Sequence, residues 1–514
     1  MPRMTDAGRP GLSLALTLAA LLVATAAASE PLAQVTGGVL AGIDQPGGGA
    51  SFLGVPFAAP PVGPLRWRPP QPPHRWSGTR LATQEPPACP QSLYGDWNAE
   101  AAASGAEDCL YLDLRTPRLD PDARLPVMVW IYGGGNRAGS ARGTVNSRLV
   151  EKGVVLVAIQ YRLAALGFLA HPALSVENTL HASGEYGLMD QIAALRWVHD
   201  NIARFGGDPD NVTIFGESAG AQDVGRLLVA PQARGLFAKA IEESGAPDFG
   251  LPVLSLAEAE QRGAVIAHRA GAPVNATAAQ LRALPVAALL QAPEADHGPI
   301  PGLKDASFVW LQTVIDGRVL PKSPQAVLTE AEQAPRPLII GSNSRELSLA
   351  WSDPREAIGA LFGDQAEAAF RLYGLNGAQP PPADPRLGDV GAQIAADTTF
   401  RCPSSQLAAS MVRAGAPVWS YLYDRSPTHG PVSHNVELAS VFGDQPVSSP
   451  ADPRPYALVD YWVAFARNGD PNAPGLAAWP RQTRQTRPYL LFSDAGPLVR
   501  TDLRAPFCAL LNAY

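Results

Sequence analysis

The stretch IFGESAGAQ, Ile214–Gln222, gives the strongest indication of the fold, because it places Ser218 between two glycines where an apolar run ends. A nucleophile elbow needs a strand, a sharp turn and a helix, with small residues that let strand and helix approach closely. Val212–Phe215 has the composition of the strand, Gly216 and Gly220 are the small residues, and AQDVGRLLVA can begin the helix. We therefore interpret Ser218 as a nucleophile; a serine in an ordinary tight turn is the alternative.

Three other stretches show an apolar strand followed by a turn or loop: LPVMVWIYGGG (Leu125–Gly135), GVVLVAIQYRL (Gly153–Leu163) and RPLIIGSNSRE (Arg336–Glu346). The segment Leu188–Phe205, which lies between Gly153–Leu163 and the stretch with Ser218, has apolar residues at helical spacing. Continuous apolar strands that alternate with helices are typical of a parallel sheet covered on both faces. The sequence therefore predicts an α/β fold with a large, mostly parallel central sheet flanked by helices.

Two Pro- and Gly-rich segments, Gln291–Asp305 and Leu375–Asp389, interrupt this alternation. Such segments can be linkers between domains, or excursions over one sheet where pocket walls are built. Because the candidate site residues lie on both sides of them, we predict excursions within a single domain that spans residues 29–514.

The bulk composition is that of a globular protein, with 514 residues, 46% of them hydrophobic and 17% charged. The net charge of −7 argues against a nucleic-acid partner. The preference for arginine over lysine, together with abundant alanine and proline, favours a bacterial source.

The N-terminus has the features of a secretory signal peptide. An apolar run extends from Leu12 to about Ala28, and Ala26 and Ala28 form an A-x-A-like cleavage site. A membrane anchor is the alternative, but the run is shorter than the ~20 residues of a usual span and no basic flank follows it. We predict a signal peptide over residues 1–28 and a secreted or periplasmic protein without a membrane span after cleavage.

The four cysteines are Cys89, Cys109, Cys402 and Cys508, an even set that suits an oxidising compartment. Three disulfide pairings are possible. A Cys89–Cys109 bond would close a loop of about 20 residues, worth roughly 3 kcal/mol in the chain-entropy model, and Cys402–Cys508 would then tie down the C-terminal tail. A zinc site is the alternative, but no C-x-x-C or His-rich spacing supports it.

A serine nucleophile needs donors for the oxyanion that develops on its substrate. These donors should be the backbone N–H of Ala219, directly after the serine, and N–H groups of a glycine-rich loop after an earlier strand. Gly134 and Gly135 in IYGGGN fit this loop, because glycines leave the N–H groups unobstructed. A merely flexible loop is the alternative.

The serine also needs a histidine to take its proton and a carboxylate to orient that histidine. His268 lies in a helical stretch and His297 in a loop without a supporting pattern, whereas His429 and His434 lie close together late in the chain. The residue types alone do not choose between the last two. Glu346 follows a predicted strand and is the candidate acid, with a solvated surface glutamate as the alternative.

Several long stretches of the sequence resemble a known family, and this resemblance chooses between His429 and His434. They include FLGVPFAAPPVGPLRWRPPQPPHRWSG (Phe52–Gly78), EDCLYLDL (Glu107–Leu114), GEYGLMDQIAALRWVHDNIARFGGDPDNVTIFGESAGA and YWVAFARNGDPN (Tyr461–Asn472). In content and order they resemble the type-B carboxylesterase/cholinesterase family, over most of the mature chain. The resemblance implies an α/β-hydrolase fold with loop and helix excursions over the active site. It also implies hydrolysis of carboxylic esters, with no metal or organic cofactor.

Carried over to this chain, the resemblance implies Ser218 as the nucleophile and Glu346 as the acid of a G-x-N-x-x-E string. It also selects His434 over His429, because only His434 is followed by an acid after three residues and a phenylalanine after eight. The family pairs its cysteines in the pattern that would join Cys89 to Cys109 and Cys402 to Cys508.

Two residues near the site can be compared with the family's pattern, one that departs from it and one that resembles it. Asn136 stands where an aromatic residue usually follows the three glycines, which predicts a more polar pocket wall. Trp97 resembles the tryptophan that binds choline in cholinesterases. We interpret Trp97 as a packing residue and predict no choline ester as substrate.

We therefore predict a secreted serine hydrolase that cleaves small-molecule carboxylic esters through an acyl-enzyme, as a monomer or weak homodimer. An amidase or a detoxifying hydrolase of a bulky or multi-ester substrate is one alternative. A non-catalytic interaction protein of the same fold is another, which the intact serine, histidine and glycines disfavour. The natural ester is not fixed by the sequence, because specificity lies in the excursion loops.

Overall fold

The computed structural model describes residues 30–292, 313–330, 332, 334–347, 353–426, 430–443 and 458–511. The predicted signal peptide, most of the first Pro- and Gly-rich segment with His297, and the alternative histidine His429 lie outside these residues.

Strands in the described residues form one large sheet and two small ones. The strands are β1 (Leu32–Val35), β2 (Gly38–Ala41), β3 (Ile43–Gln45), β4 (Gly49–Pro56), β5 (Thr79–Leu81), β6 (Tyr111–Thr116), β7 (Leu125–Ile131), β8 (Val155–Ile159), β9 (Gly207–Glu217), β10 (Lys239–Glu243), β11 (Leu254–Ser255), β12 (Val314–Ile315), β13 (Leu338–Asn343), β14 (Val418–Asp424), β15 (Pro488–Ser493) and β16 (Gly496–Thr501).

The large sheet has eleven described strands in the order β16-β15-β14-β13-β10-β9-β7-β8-β6-β4-β3. Every neighbouring pair from β8 to β15 is parallel. The strands at the two edges are added antiparallel. The prediction of a large, mostly parallel sheet is therefore confirmed.

Helices connect and cover these strands. The described α-helices are α1 (Ala99–Ser104), α2 (Ala164–Phe168), α3 (Pro172–Glu177), α4 (Tyr186–Asn201), α5 (Ala219–Val229), α6 (Leu256–Arg269), α7 (Ala278–Arg282), α8 (Val286–Gln291), α9 (Pro324–Thr329), α10 (Pro354–Phe362), α11 (Ala366–Leu372), α12 (Val390–Ala396), α13 (Cys402–Arg413), α14 (Leu438–Val441), α15 (Leu458–Asn468) and α16 (Ala505–Leu511). A π-helical turn, Asp397–Arg401, joins α12 to α13.

The central strands form where the sequence has continuous apolar runs. All five residues of β8 and all six of β13 are buried, as expected for strands covered on both faces. The predicted helix Leu188–Phe205 is α4 followed by a short 3-10 helix, Ile202–Phe205. No described helix has the length and apolar character that a membrane crossing requires.

Both disulfides that the resemblance implied are present. Cys89 is bonded to Cys109, ahead of β6, and Cys402 at the start of α13 is bonded to Cys508 in α16. The second bond therefore attaches the last described helix to a helix that packs on β13 and β14.

The parallel sheet brings the candidate site residues to one edge. β7 ends just before the three glycines, β9 ends just before Ser218, and β13 ends three residues before Glu346. His434 lies in the loop after β14. Because parallel strands have their carboxyl ends at the same edge, these four loops meet there.

Candidate active site

Ser218 occupies a sharp turn between β9 and α5. Its φ of 57° and ψ of −125° are unusual for a residue with a side chain. A Cβ placed on Gly216 would lie 2.6 Å from the Gly220 carbonyl carbon, and one on Gly220 would lie 2.0 Å from the Ile131 carbonyl oxygen. Strand and helix therefore approach as closely as a nucleophile elbow requires, and only glycine fits at both positions.

His434 and Glu346 are hydrogen bonded in the same site. The His434 Nδ1 atom lies 2.6 Å from Glu346 Oε2. The other carboxylate oxygen, Oε1, accepts a 2.7 Å hydrogen bond from the Asn343 backbone N–H, which fixes the carboxylate at the end of β13. Both side chains are buried. This arrangement leaves His434 Nε2 as the nitrogen that faces away from Glu346.

Two further acids surround the imidazole, and sequence reasoning gave neither a role. Glu217, directly before the serine, has Oε1 3.0 Å from His434 Nε2. Glu437 accepts hydrogen bonds from Asn343 Nδ2 at 2.5 Å and from Ser244 Oγ at 3.4 Å. Glu217 was hidden as the variable position of the G-x-S-x-G motif. Glu437 entered the sequence argument only as a marker for selecting His434.

These acids change the proton affinity of the site. Burial lowers the pKa of His434, but the charges of Glu217 and Glu346 and the hydrogen bond to Glu346 outweigh it, and the pKa rises to about 9. Burial raises the pKa of Glu217 to about 8 and that of Glu437 to about 7. The charges of Glu217 and Glu346 therefore favour the protonated form of the imidazole over the neutral form.

The three glycines after β7 lie against the elbow. A Cβ on Gly133 would come within 2.9 Å of Ser218 Cβ, and one on Gly134 would lie 2.2 Å from the Ala138 carbonyl oxygen. Gly134 and Gly135 have φ values of 103° and 66°, which residues with side chains rarely adopt. Ala219, the third predicted oxyanion residue, is the first residue of α5.

A cavity of about 910 Å³ adjoins the site, and its lining includes Ser218, His434, Gly134 and Gly135. Aromatic rings form much of the remaining wall: Tyr94, Trp97, Trp130, Tyr132, Phe249, Phe400 and Phe442. Charged residues at the wall include Arg142, which forms ion pairs with Glu85 at 3.3 Å and with Glu100 at 3.1 Å.

The structure places Asn136 and Trp97 differently from what the sequence predicts. Asn136 is only 1% exposed, and its side chain bonds to buried groups behind the glycine loop instead of lining the cavity. Arg137 next to it lines the cavity instead. Trp97 is 63% exposed, and its ring edge lies 3.5 Å from the Cβ position of Gly134, so it is a cavity residue and not a packing residue.

A comparison with known proteins decides the class. The carboxylesterase family model matches residues 29–370 and 364–511. The chain belongs to the carboxylesterase family. Its membership confirms the resemblance seen in the sequence strings and makes this chain a carboxylic ester hydrolase.

Relatives and solved esterase structures agree with this assignment. The chain is 35% identical to fumonisin B1 esterase of Sphingopyxis macrogoltabida over 479 residues, 87% of this chain and 84% of the relative. It is also 35% identical to liver carboxylesterase 1 of Oryctolagus cuniculus over 484 residues, 84% of this chain and 83% of the relative.

The solved structures give the same fold. A structure of PNB esterase superposes with a TM-score of 0.80 at 29% identity, covering 94% of this carboxylesterase and 99% of the solved chain. The α/β-hydrolase fold is therefore confirmed.

Proposed function

We propose that this carboxylesterase acts through an acyl-enzyme, with Ser218 as nucleophile, His434 as general base and Glu346 as the acid that orients the imidazole. The observation that carries the proposal is the 2.6 Å hydrogen bond between His434 Nδ1 and Glu346. Ser218, in the sharp turn between β9 and α5, lines the same cavity as His434. Nucleophile, base and orienting acid at the ends of three strands are the parts that acyl transfer needs.

The proposed reaction has two halves. Ser218 Oγ attacks the ester carbonyl while His434 Nε2 takes the hydroxyl proton, and the oxyanion accepts hydrogen bonds from the N–H groups of Gly134, Gly135 and Ala219. Collapse of this intermediate expels the alcohol, which receives the proton from His434. Water then attacks the acyl-enzyme with His434 again as base, and the acid is released. Glu346 stabilises the imidazolium in both halves.

The size and lining of the cavity support an ester with bulky apolar groups. A volume of about 910 Å³ is at the upper end of the ~300–1,000 Å³ typical of small-molecule sites. The aromatic wall favours apolar acyl or alcohol groups. Two relatives, fumonisin B1 esterase and human cocaine esterase, are each 35% identical, and their names give fumonisin B1 and cocaine as their esters. A detoxifying hydrolase of a bulky ester therefore remains a candidate within this proposal.

We also propose that the protein is exported. The N-terminal run with its A-x-A-like site predicts a signal peptide, and two disulfides, Cys89–Cys109 and Cys402–Cys508, suit an oxidising compartment. Both observations favour a secreted or periplasmic location.

The test compares purified wild type with Ser218→Ala on p-nitrophenyl esters of graded acyl length. We expect turnover that is lost in Ser218→Ala and a burst of p-nitrophenol equal to the enzyme concentration for slowly deacylating esters. Ser175→Ala is the matched control, since it removes a buried hydroxyl that bonds Ser183 at 2.7 Å, in α3. Turnover that survives in Ser218→Ala would refute the serine mechanism, and no turnover of any ester by wild type would favour the interaction protein.

A further inference from the structure

The glycine loop needs an external support to hold its N–H groups in place. Three successive glycines have wide conformational freedom. The Arg137 and Ala138 N–H groups both donate to the Gly134 carbonyl oxygen at 3.2 Å, which closes a turn within the loop but does not attach the loop to the rest of the site. Oxyanion donors act well only when they are held within about 0.5 Å of the productive position. The residues on either side of the glycines, Tyr132 and Asn136, are 4% and 1% exposed, so the loop has two buried ends.

Tyr161 links these two ends. Its hydroxyl lies 2.7 Å from the Tyr132 carbonyl oxygen and 3.1 Å from Asn136 Oδ1. Its ring stacks on the Tyr132 ring with centroids 4.5 Å apart. Because both oxygens are acceptors and the hydroxyl has one proton, this hydrogen bond is shared, with Tyr132 as the nearer acceptor and Asn136 as the farther one. One side chain after β8 therefore contacts the residues directly before and directly after the three glycines.

Asn136 also ties the loop to the helix that starts at the nucleophile. Asn136 Nδ2 donates to Asp223 Oδ1 at 3.2 Å, and Asp223 lies five residues after Ser218 in α5. Asp223 is fully buried and fixed by two other donors, Arg226 Nη1 at 2.9 Å and Gln191 Nε2 at 2.5 Å. The acceptor that Asn136 meets is therefore held rigidly.

We propose that Asn136 is a positioning residue for the oxyanion hole, which it sets at a fixed distance from Ser218 through Asp223 and Tyr161. The proposal rests on the serine mechanism above. It assigns a role to the position where the chain departs from an aromatic residue: a hydrogen bond between loop and helix replaces packing against the pocket. Asn136 itself does not touch the substrate, since it lies behind the loop.

The first experiment measures kcat and KM of Asn136→Ala on a p-nitrophenyl ester. It also measures the affinity of a trifluoromethyl ketone, whose adduct with Ser218 carries an oxyanion. We expect kcat to fall about 100-fold with KM unchanged, because a misplaced donor acts only on the transition state. The trifluoromethyl ketone should lose affinity by the same factor. The matched control is Asn201→Ala, since Asn201 is an equally buried asparagine with hydrogen bonds to Thr36 and Trp197 at the end of α4.

The second experiment keeps the size of the side chain and removes its polar atoms. Asn136→Leu cannot donate to Asp223 or accept from Tyr161, so it should lower kcat and trifluoromethyl ketone affinity as Asn136→Ala does, without leaving a large cavity. If either variant does not fold, Tyr161→Phe removes the bridging hydroxyl while it keeps the stacked ring, and should lower kcat and trifluoromethyl ketone affinity together.

The outcomes separate the two proposals. Wild-type kcat and trifluoromethyl ketone affinity in folded Asn136→Ala and Tyr161→Phe would overturn the positioning role and leave the serine mechanism intact. A wild type whose turnover does not depend on Ser218 would instead remove the mechanism on which the role rests. A parallel loss of kcat in Asn201→Ala would reduce the effect to general destabilisation and would also overturn the inference.

Discussion

At the scale of single residues, His434 is held between two carboxylates with different tasks. Glu346 holds Nδ1, while Glu217 lies 3.0 Å from Nε2, the nitrogen that must receive the Ser218 proton in the proposed mechanism. A carboxylate at that nitrogen stabilises the imidazolium formed during attack. It also favours the imidazolium in the resting enzyme, where a proton on Nε2 prevents general-base catalysis. We therefore expect Glu217 to shift the pH range of activity.

The variant Glu217→Gln should move the acid limb of the pH profile to lower pH. The charge of Glu217 raises the pKa of His434, and only the neutral imidazole accepts a proton, so kcat/KM of wild type rises as pH passes that pKa upward. Loss of the charge should lower the limb by about one pH unit or more. The measurement is kcat/KM on one ester from pH 5 to 10; an unmoved acid limb would show that Glu217 does not control the imidazole.

The variant Glu346→Gln should lower kcat by about 10⁴-fold, because the amide cannot hold the imidazole in the required tautomer or stabilise its charge. Glu437→Gln is the control, since it removes a neighbouring buried carboxyl that bonds Asn343 and Ser244 instead of the imidazole. We expect it to cost much less. Equal losses in the two variants would show that Glu346 has no special role.

The sequence located single residues of this site unevenly. Ser218, Glu346 and His434 could be chosen because motifs and the resemblance fix their spacing. Asn136 and Trp97 could not be placed, because the direction of a side chain at a loop depends on the backbone φ of that loop, which is 55° at Asn136. Glu217 was missed because a motif position that tolerates many residues carries no signal.

At the scale of secondary-structure elements, the elbow depends on close contact between β7, β9 and α5. A methyl group at Gly220 would overlap the Ile131 carbonyl oxygen at 2.0 Å, so the helix can rest on the strands only without a side chain there. This contact sets the height of Ser218 above the sheet.

The variant Gly220→Ala should destabilise the protein by about 1–3 kcal/mol, because the added methyl forces the helix away from β7. Gly359→Ala is a matched control in α10, where a Cβ meets nothing within 4 Å. It should stabilise by about 0.5–1 kcal/mol, since alanine favours a helix more than glycine does. Urea unfolding of both variants tests this, and equal behaviour would contradict the close contact.

The central elements could be predicted because burial on both faces leaves a clear pattern. β7, β8, β9, β13 and α4 all appeared as apolar runs or helical spacing. The edge strands did not, since β16 is mostly exposed and β3 has only three residues. The strand order of the sheet also has no local signal, because pairing joins residues far apart in the chain.

At the scale of the whole molecule, the two disulfides should differ in how much they add to the free energy of unfolding. Cys402–Cys508 spans 106 residues and Cys89–Cys109 spans 20, so the chain-entropy model assigns them about 4.7 and about 3 kcal/mol. The double variant Cys402→Ala/Cys508→Ala should lose more free energy of unfolding in urea than Cys89→Ala/Cys109→Ala. The reverse order would show that native packing around the bonds dominates over chain entropy.

Stability should also depend on buried carboxyl groups. Glu243 accepts a hydrogen bond from Trp462 Nε1 at 2.9 Å, while its Oε2 has no hydrogen-bond partner within the described residues. Burial, reinforced by the nearby Glu437, holds the pKa of Glu243 well above its usual value. Above about pH 4.5 the unfolded chain loses this proton while the folded protein keeps it, so stability falls as pH rises.

The variant Glu243→Gln should therefore raise the Tm, and by more at pH 8 than at pH 5, since glutamine accepts from Trp462 without titrating. The gain should grow by up to about 1.4 kcal/mol per pH unit. The exposed Glu356→Gln is the control and should leave the pH dependence unchanged. A Tm difference that does not change with pH would show that Glu243 is ionised in the folded state.

The order of the strands along the chain also determines the order in which the residues of the site are synthesised. The proposed nucleophile, acid and base follow β9, β13 and β14, in that order along the chain. During synthesis, Ser218 is therefore made long before His434, the histidine proposed to activate it. A chain whose synthesis has not reached His434 therefore lacks the proposed general base. The bond to Cys508 forms later still, once the last described helix has emerged. A chain that ends before β14 would therefore carry the proposed nucleophile and acid without the base.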